Sequence, residues 1–167
     1  MTPLPTTEST GTAWGAAETV GLVLRMLREA FEGPPGPWTY FTDVGPGHGL
    51  FATLDTLTAA QASQAGGPGG STIAGHVHHI SASLALTRRL LRGEQASRDR
   101  ARSWSVLTVD AAAWTELVAG LRRAYHDVRV TVEMHPTWDE DAAGTAFGAV
   151  AHAAYHLGAI RQRLPGR

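Results

Sequence analysis

One stretch constrains this chain more than any other: residues 146–163, AFGAVAHAAYHLGAIRQR. It reads as a single helix carrying two histidines four residues apart, His152 and His156. Positions i and i+4 share one face of a helix, one turn apart, so the two imidazoles can point at one cation, the geometry used by the two-histidine helix of zinc proteases. The rest of that face is small: Thr145, Gly148, Ala149 and Ala159 lie near the histidines and leave room for an ion and a ligand beside it. The opposite arc, with Phe147, Val150, Ala154 and Leu157, is built for packing. A helix of this kind asks for other helices around it and for a third ligand from one of them.

Composition narrows what such a site could serve. The 167 residues suffice for one domain with a real core. Residues 1–12, rich in Thr, Ser and Pro, read as a disordered tail, and 13–167 as a single domain. A net charge of −1 gives no electrostatic footprint for nucleic acid or an anionic membrane surface. The absence of cysteine removes disulfides, thiolate metal ligation and a cysteine nucleophile. All 14 basic residues are arginine, which removes Schiff-base chemistry through lysine. No apolar run approaches membrane-spanning length and no leader pattern opens the chain, so the expectation is a cytoplasmic protein.

The periodicity predicts four long helices and a short one, an all-α bundle. The first covers 13–32, with Val20, Val23, Leu24, Leu27 and Phe31 on one stripe, and the proline-rich run 33–37 ends it. An irregular segment, 38–49, follows, with Trp38, Tyr40 and Phe41 as expected anchors. A shorter helix is predicted over 50–63, then a flexible glycine joint at 66–70. Ser71 or Thr72 would cap a helix over 72–93. Residues 94–108, with Arg98, Arg100 and Arg102, read as a solvated crossover without an element of its own. Asp110 would cap a helix over 110–134; Val128 to Val132 alternates like a strand, but the 3.6-residue period carries through it. Asp139, Glu140 and Asp141 then suit the positive end of the last helix.

The second long helix holds three of the eight histidines, in Gly75-His-Val-His-His-Ile80. With Ile73 at zero on a helical wheel, His79 falls at roughly 240° and His76 at roughly 300°, both inside the apolar arc, and His78 at roughly 140°, facing solvent. The wheel admits either His76 or His79 as an inward ligand and does not choose. His48, His126 and His135 read as loop or surface residues, the tryptophans as core or loop anchors, and Glu18 lies off the first helix's stripe.

The run from Ser71 to Ile80, followed by His152-Ala-Ala-Tyr-His156-Leu-Gly-Ala-Ile-Arg-Gln162, resembles the DinB/YfiT-like family of metal-binding four-helix bundles. The likeness extends from Phe31 to Gln162 and includes Gly49-Leu-Phe-Ala-Thr-Leu54 and Trp138-Asp-Glu-Asp141. It implies a DinB-like bundle with an additional short helix. It also implies a divalent metal, zinc or nickel, held by His79, which directly precedes Ile80, and by His152 and His156. Three protein ligands with an open position describe a catalytic site, at which the metal lowers the pKa of water, polarises a carbonyl or binds a thiolate. The resemblance implies a metal-dependent enzyme acting on a small molecule, by transfer that uses a low-molecular-weight thiol or by hydrolysis. The alternative is a non-catalytic metal or small-molecule binder in stress response. A homodimer fits either; nucleic acid and membrane are not expected partners.

Overall fold

The computed structural model describes residues 15–66 and 70–164. The tail at 1–12, Trp14 and residues 67–69 of the glycine joint lie outside them. All regular structure among the described residues is helical: α1 (Ala16–Glu32), α2 (Leu50–Asp55), α3 (Ala59–Ala62), α4 (Ile73–Leu91), α5 (Arg100–Ser103), α6 (Ala111–Glu133) and α7 (Glu140–Arg161). The long helix α4 packs against α6 and α7, and α1 packs against the same two, so the four close into a ring in the order α1, α6, α4, α7. No helix among the described residues is long and apolar enough to cross a membrane.

The helices begin where side chains can satisfy their first free amides. Thr72, Asp110 and Asp139 accept hydrogen bonds from the backbone N–H groups of Gly75 (3.0 Å), Ala113 (2.8 Å) and Ala142 (2.8 Å). Glu140 and Asp141 lie in the first turn of α7, where the helix dipole favours them. The apolar stripes then meet inside the ring: Val23, Leu27 and Phe31 of α1, Val77, Ile80 and Leu84 of α4, Leu121, Val128 and Val132 of α6, and Val150, Leu157 and Ile160 of α7 are all buried. Each such side chain contributes about 1.5–3 kcal/mol when taken out of water. Val128 to Val132 continues α6, because two of its valines complete that helix's buried face.

Three expectations need correction. The helix predicted over 50–63 is two helices. The Thr56 hydroxyl donates to Thr53 O (2.8 Å), and the Thr58 hydroxyl accepts from Gln61 N (3.3 Å) to start α3 anew. Hydroxyl side chains that bond to local backbone offer it an alternative to continued helix. The crossover 94–108 contains an element after all, the single turn α5, capped by Asp99 accepting from Arg102 N at 2.9 Å. The bundle therefore carries three short helices where one was expected.

The third correction concerns the segment 38–49. Trp38 is 65% exposed and Phe41 39%, so they do not anchor it. Glu29 of α1 does. Its carboxylate, 1% exposed, accepts from the N–H groups of Tyr40 (2.7 Å), Phe41 (2.8 Å) and Thr42 (2.7 Å) and from the Thr42 hydroxyl (3.0 Å). At the segment's end, Gly49 lies so close to Gly33 that a Cβ there would meet Gly33 N at 2.3 Å. Burial pushes the Glu29 carboxyl pKa up, but the four hydrogen bonds outweigh it and hold the group below its ordinary value. A depressed carboxyl pKa stabilises the fold above the unfolded value of about 4.3, and that contribution is lost as pH falls through the folded value. Glu29→Gln replaces the charged acceptor with an amide that can accept at only one atom, and should cost about 3 kcal/mol. Chemical denaturation at pH 7 and pH 3 should show the wild type more stable than the variant at pH 7 and approaching it at pH 3, with the loss of that difference confined to pH below about 4.3.

Candidate metal centre

Four histidines from two helices meet inside the bundle. His76 and His79 come from α4, His152 and His156 from α7. His79 Nε2 stands 3.0 Å from His152 Nε2, which stands 3.2 Å from His156 Nε2. The ligand-capable nitrogens of His79, His152 and His156 all lie within 4.8 Å of one another, and the three could hold a metal ion. Ligand nitrogens of a tetrahedral ion bound at 2.0–2.1 Å sit about 3.3 Å apart, so this spacing fits a first-row divalent ion. Three neutral imidazoles form a donor set that zinc, nickel, copper and ferrous iron all accept.

The outer nitrogens are also accounted for. His79 Nδ1 lies 2.9 Å from Ser103 Oγ, and the Ser103 hydroxyl donates to Arg100 O at 2.9 Å. With the serine proton committed to that carbonyl, His79 Nδ1 carries the ring proton and His79 Nε2 presents a bare lone pair to the centre. On the other side, His156 Nδ1 lies 2.8 Å from His76 Nδ1. If His156 is to offer Nε2 to an ion, its proton sits on Nδ1 and is donated to His76. His76 Nε2 then carries the other proton, and it is buried without a partner among the described residues. Both α4 histidines are thus used: His79 points its Nε2 into the cluster and His76 backs His156. The helical wheel placed both correctly inside and could not assign these separate tasks.

The crossover that the sequence presented as solvated chain builds one wall of the site. Trp104 stacks on His79 (ring centroids 4.3 Å apart, planes 19° apart) and sets its edge against His76 (5.1 Å, 80°). It is held there by Thr72, whose hydroxyl donates to Leu107 O (2.7 Å), and by Ser63, whose hydroxyl accepts from Val109 N (3.0 Å). His78, expected to face solvent, instead donates through Nδ1 to Ser103 O at 3.0 Å and is half-buried. Ser103 and Trp104 were missed because their role depends on long-range docking; the available local signal was Asp99, a capping residue ahead of a polar turn.

Other sequence candidates stand apart. His48 bonds to Arg161 (3.0 Å) within the 38–49 segment's anchorage and does not line the cleft. His126 is exposed, and His135 packs edge-on to Trp138 at 5.4 Å. Glu18 accepts from Gly15 N at the start of α1, 3.1 Å away.

The cluster opens on a cleft of about 1020 Å³. Arg98, Arg100, Tyr155 and Arg163 line it with the histidines and Trp104. His76, His79 and His156 are 4–6% exposed, and His152 is half-buried. Burial, then the positive field of neighbouring histidines and arginines, lowers the pKa of His79 to about 4 and of His156 to about 3. Burial, with Arg163 and His79, likewise lowers His76 to about 4, and burial with Arg98 lowers His152. The ligand set is therefore held toward the neutral form that metal binding requires.

A base whose pKa is lowered on folding stabilises the fold most above its unfolded pKa. Stability is lost as pH falls from that value, because the unfolded chain takes protons that the folded one refuses. Metal-free protein should therefore lose melting temperature steadily between pH 6.5 and about 4, a window above that of Glu29. The loss over this window should shrink in a His79→Asn/His152→Asn/His156→Asn variant; an unchanged slope would contradict the neutral cluster. Compared with protein-family models, curated proteins and solved structures, the chain matches none of them, so what this site can do rests on its own geometry.

Proposed function

We propose that the protein is a DinB-like metal-dependent enzyme. In this reading His79, His152 and His156 hold one divalent ion, zinc or nickel, and a small substrate binds in the adjoining cleft for thiol-dependent transfer or for hydrolysis. One observation carries the reading: His152 Nε2 lies 3.0 Å from His79 Nε2 and 3.2 Å from His156 Nε2, while a second set of groups, Ser103 and His76, occupies the Nδ1 atoms of the other two rings. A chance meeting of histidines has no reason to orient them in this way. When bound, the ion would supply a Lewis-acidic position facing the cleft.

The chain's own contribution is orientation and exclusion of water. Ser103 fixes the tautomer of His79, and His76 receives the Nδ1 proton of His156. Trp104 covers the buried side of His79, leaving half-buried His152 as the ring most open to an incoming ligand. Tyr155, 70% exposed at the cleft, has a hydroxyl able to give or take a hydrogen bond there. Among the described residues no aspartate or glutamate lines the cleft. That observation favours the second reading, a metal or small-molecule binder without acid–base chemistry; turnover of a candidate substrate separates the two.

Elemental analysis of untagged protein, purified without chelator, should find about one transition-metal ion per chain, as three-histidine ligation implies. His152→Ala should abolish stoichiometric binding while leaving the far-ultraviolet circular dichroism intact. His76→Leu should keep the site and weaken it by about 10–100-fold in a chelator competition, as expected for loss of a group that orients a ligand. Full metal occupancy in His152→Ala would refute the ligand set.

A further inference from the structure

The arginines of this protein are mostly matched to acids. Arg28 pairs with Glu32, Arg88 with Asp127, Arg89 with Glu94, Arg122 with Asp55 and Arg123 with Glu116. The cleft breaks that habit. Arg98, Arg100 and Arg163 all line it, and none of its lining residues is acidic. Among the described residues the guanidinium groups of Arg98 and Arg100 have no hydrogen-bond or ion-pair partner. Arg163 is fixed in place by neutral acceptors only: Nη1 donates to Ala159 O (3.0 Å), and Nη2 donates to Gly66 O (3.2 Å) and Ser71 Oγ (2.7 Å). Its side chain is positioned and its charge is left uncompensated.

The arginines come from two elements and act on different halves of the histidine cluster. Arg98 and Arg100, at α5, bear on His79, and Arg98 also on His152; Arg163, just beyond α7, bears on His76 and His156. Positive charge is thus presented from two sides of the cluster rather than at one point. Trp104 and Tyr155 line the same cleft. Guanidinium groups without a protein carboxylate are suited to bidentate recognition of one supplied by a ligand.

We propose that the cleft takes a small organic dicarboxylate, one carboxylate met by Arg98 and Arg100, the other by Arg163, and the carbon body lying against Trp104 and Tyr155. A compact phosphate would satisfy one side only, whereas separated carboxylates match charges placed on both. The inference rests on reading this cleft as the ligand site and names the class of molecule it accepts.

The test is calorimetric titration of the full-length, metal-free protein with succinate and with its uncharged diamide, succinamide. Succinate should bind at millimolar concentration or below, succinamide should bind at least tenfold more weakly or not at all, and added salt should weaken succinate binding. The Arg98→Ala/Arg100→Ala variant alters only exposed side chains, and it and Arg163→Gln should each lose about tenfold or more in succinate affinity, the scale of a charge-assisted hydrogen bond. Arg123→Ala, on α6 and outside the cleft, should bind succinate like the wild type. Equal affinity for the two probes, no binding of succinate, tighter binding of inorganic phosphate than of succinate, or unchanged affinity in both cleft variants would overturn the proposal. Because the titration reads heat and uses no metal, it is separate from the ligand-set test. Succinate binding by a protein that takes up no ion would sink the metal reading and leave the anion site standing.

Discussion

At its centre, the contact between α4 and α7 is made through imidazole. His76, His79, His152 and His156 meet with ring centroids 4.4–5.0 Å apart, inside a bundle whose other buried positions are mostly apolar. Polar rings can be buried at such density only if each finds a hydrogen-bond partner or loses its charge. Both conditions shape what surrounds them. The small residues Ala146, Ala149 and Ala153, buried along α7, keep that helix narrow. The crossover from α4 to α6 folds back so that Ser103 reaches His79 and Trp104 covers it. Thr72 and Ser63 then hold the crossover against the start of α4 and the end of α3. Much of the irregular chain is arranged to let one helix pair touch through histidine.

What the residue pattern could reveal follows the range of the interactions involved. Long helices are local objects, and their stripes and caps were largely readable: Thr72, one of two expected caps, and Asp110 begin α4 and α6, Asp139 of the acidic run expected at the last helix caps α7, and the paired histidines of α7 share a face because four residues make about one turn. The break between α2 and α3 was equally local. The run Thr58-Ala-Ala-Gln61 is a capping-box sequence, overlooked beneath the apolar period of Phe51, Leu54 and Leu57.

The remaining gaps are long-range. Glu29 sits beside Ala30 and Phe31 on a buried arc, yet a wheel assigns a glutamate to solvent because it cannot see three loop amides arriving from 11 to 13 residues away. Trp104 and Ser103 reach the site from 24 to 25 residues beyond His79 through a segment whose composition is that of a solvated linker. The choice between His76 and His79 lay open for a related reason. A wheel gives direction to within a wide arc, and whether a ring meets His152 or His156 depends on the offset between α4 and α7, which no single-helix pattern encodes.

Glu29 and the histidine cluster are both buried, and the difference between them bears on function. Around Glu29 every demand is met within the chain: a carboxylate with four donors, closing one loop against one helix. Such a group stabilises and needs nothing more. The histidine cluster is closed on its outside and open on its inside. Ser103 fixes the proton of His79 on Nδ1, which leaves a lone pair at Nε2, 3.0 Å from His152 Nε2, itself 3.2 Å from His156 Nε2, and His76 keeps a polar atom with no partner among the described residues. Packing with leucine or phenylalanine would stabilise the same volume better than neutral imidazoles whose lone pairs converge. Where a sequence departs from the hydrophobic pattern and the described residues do not compensate the departure, a bound partner is a physical reason for it. The geometry of the departure, three histidines that could hold a metal ion beside a cleft lined with arginine, is the common ground of the two proposals, a cation at the centre and an anion next to it.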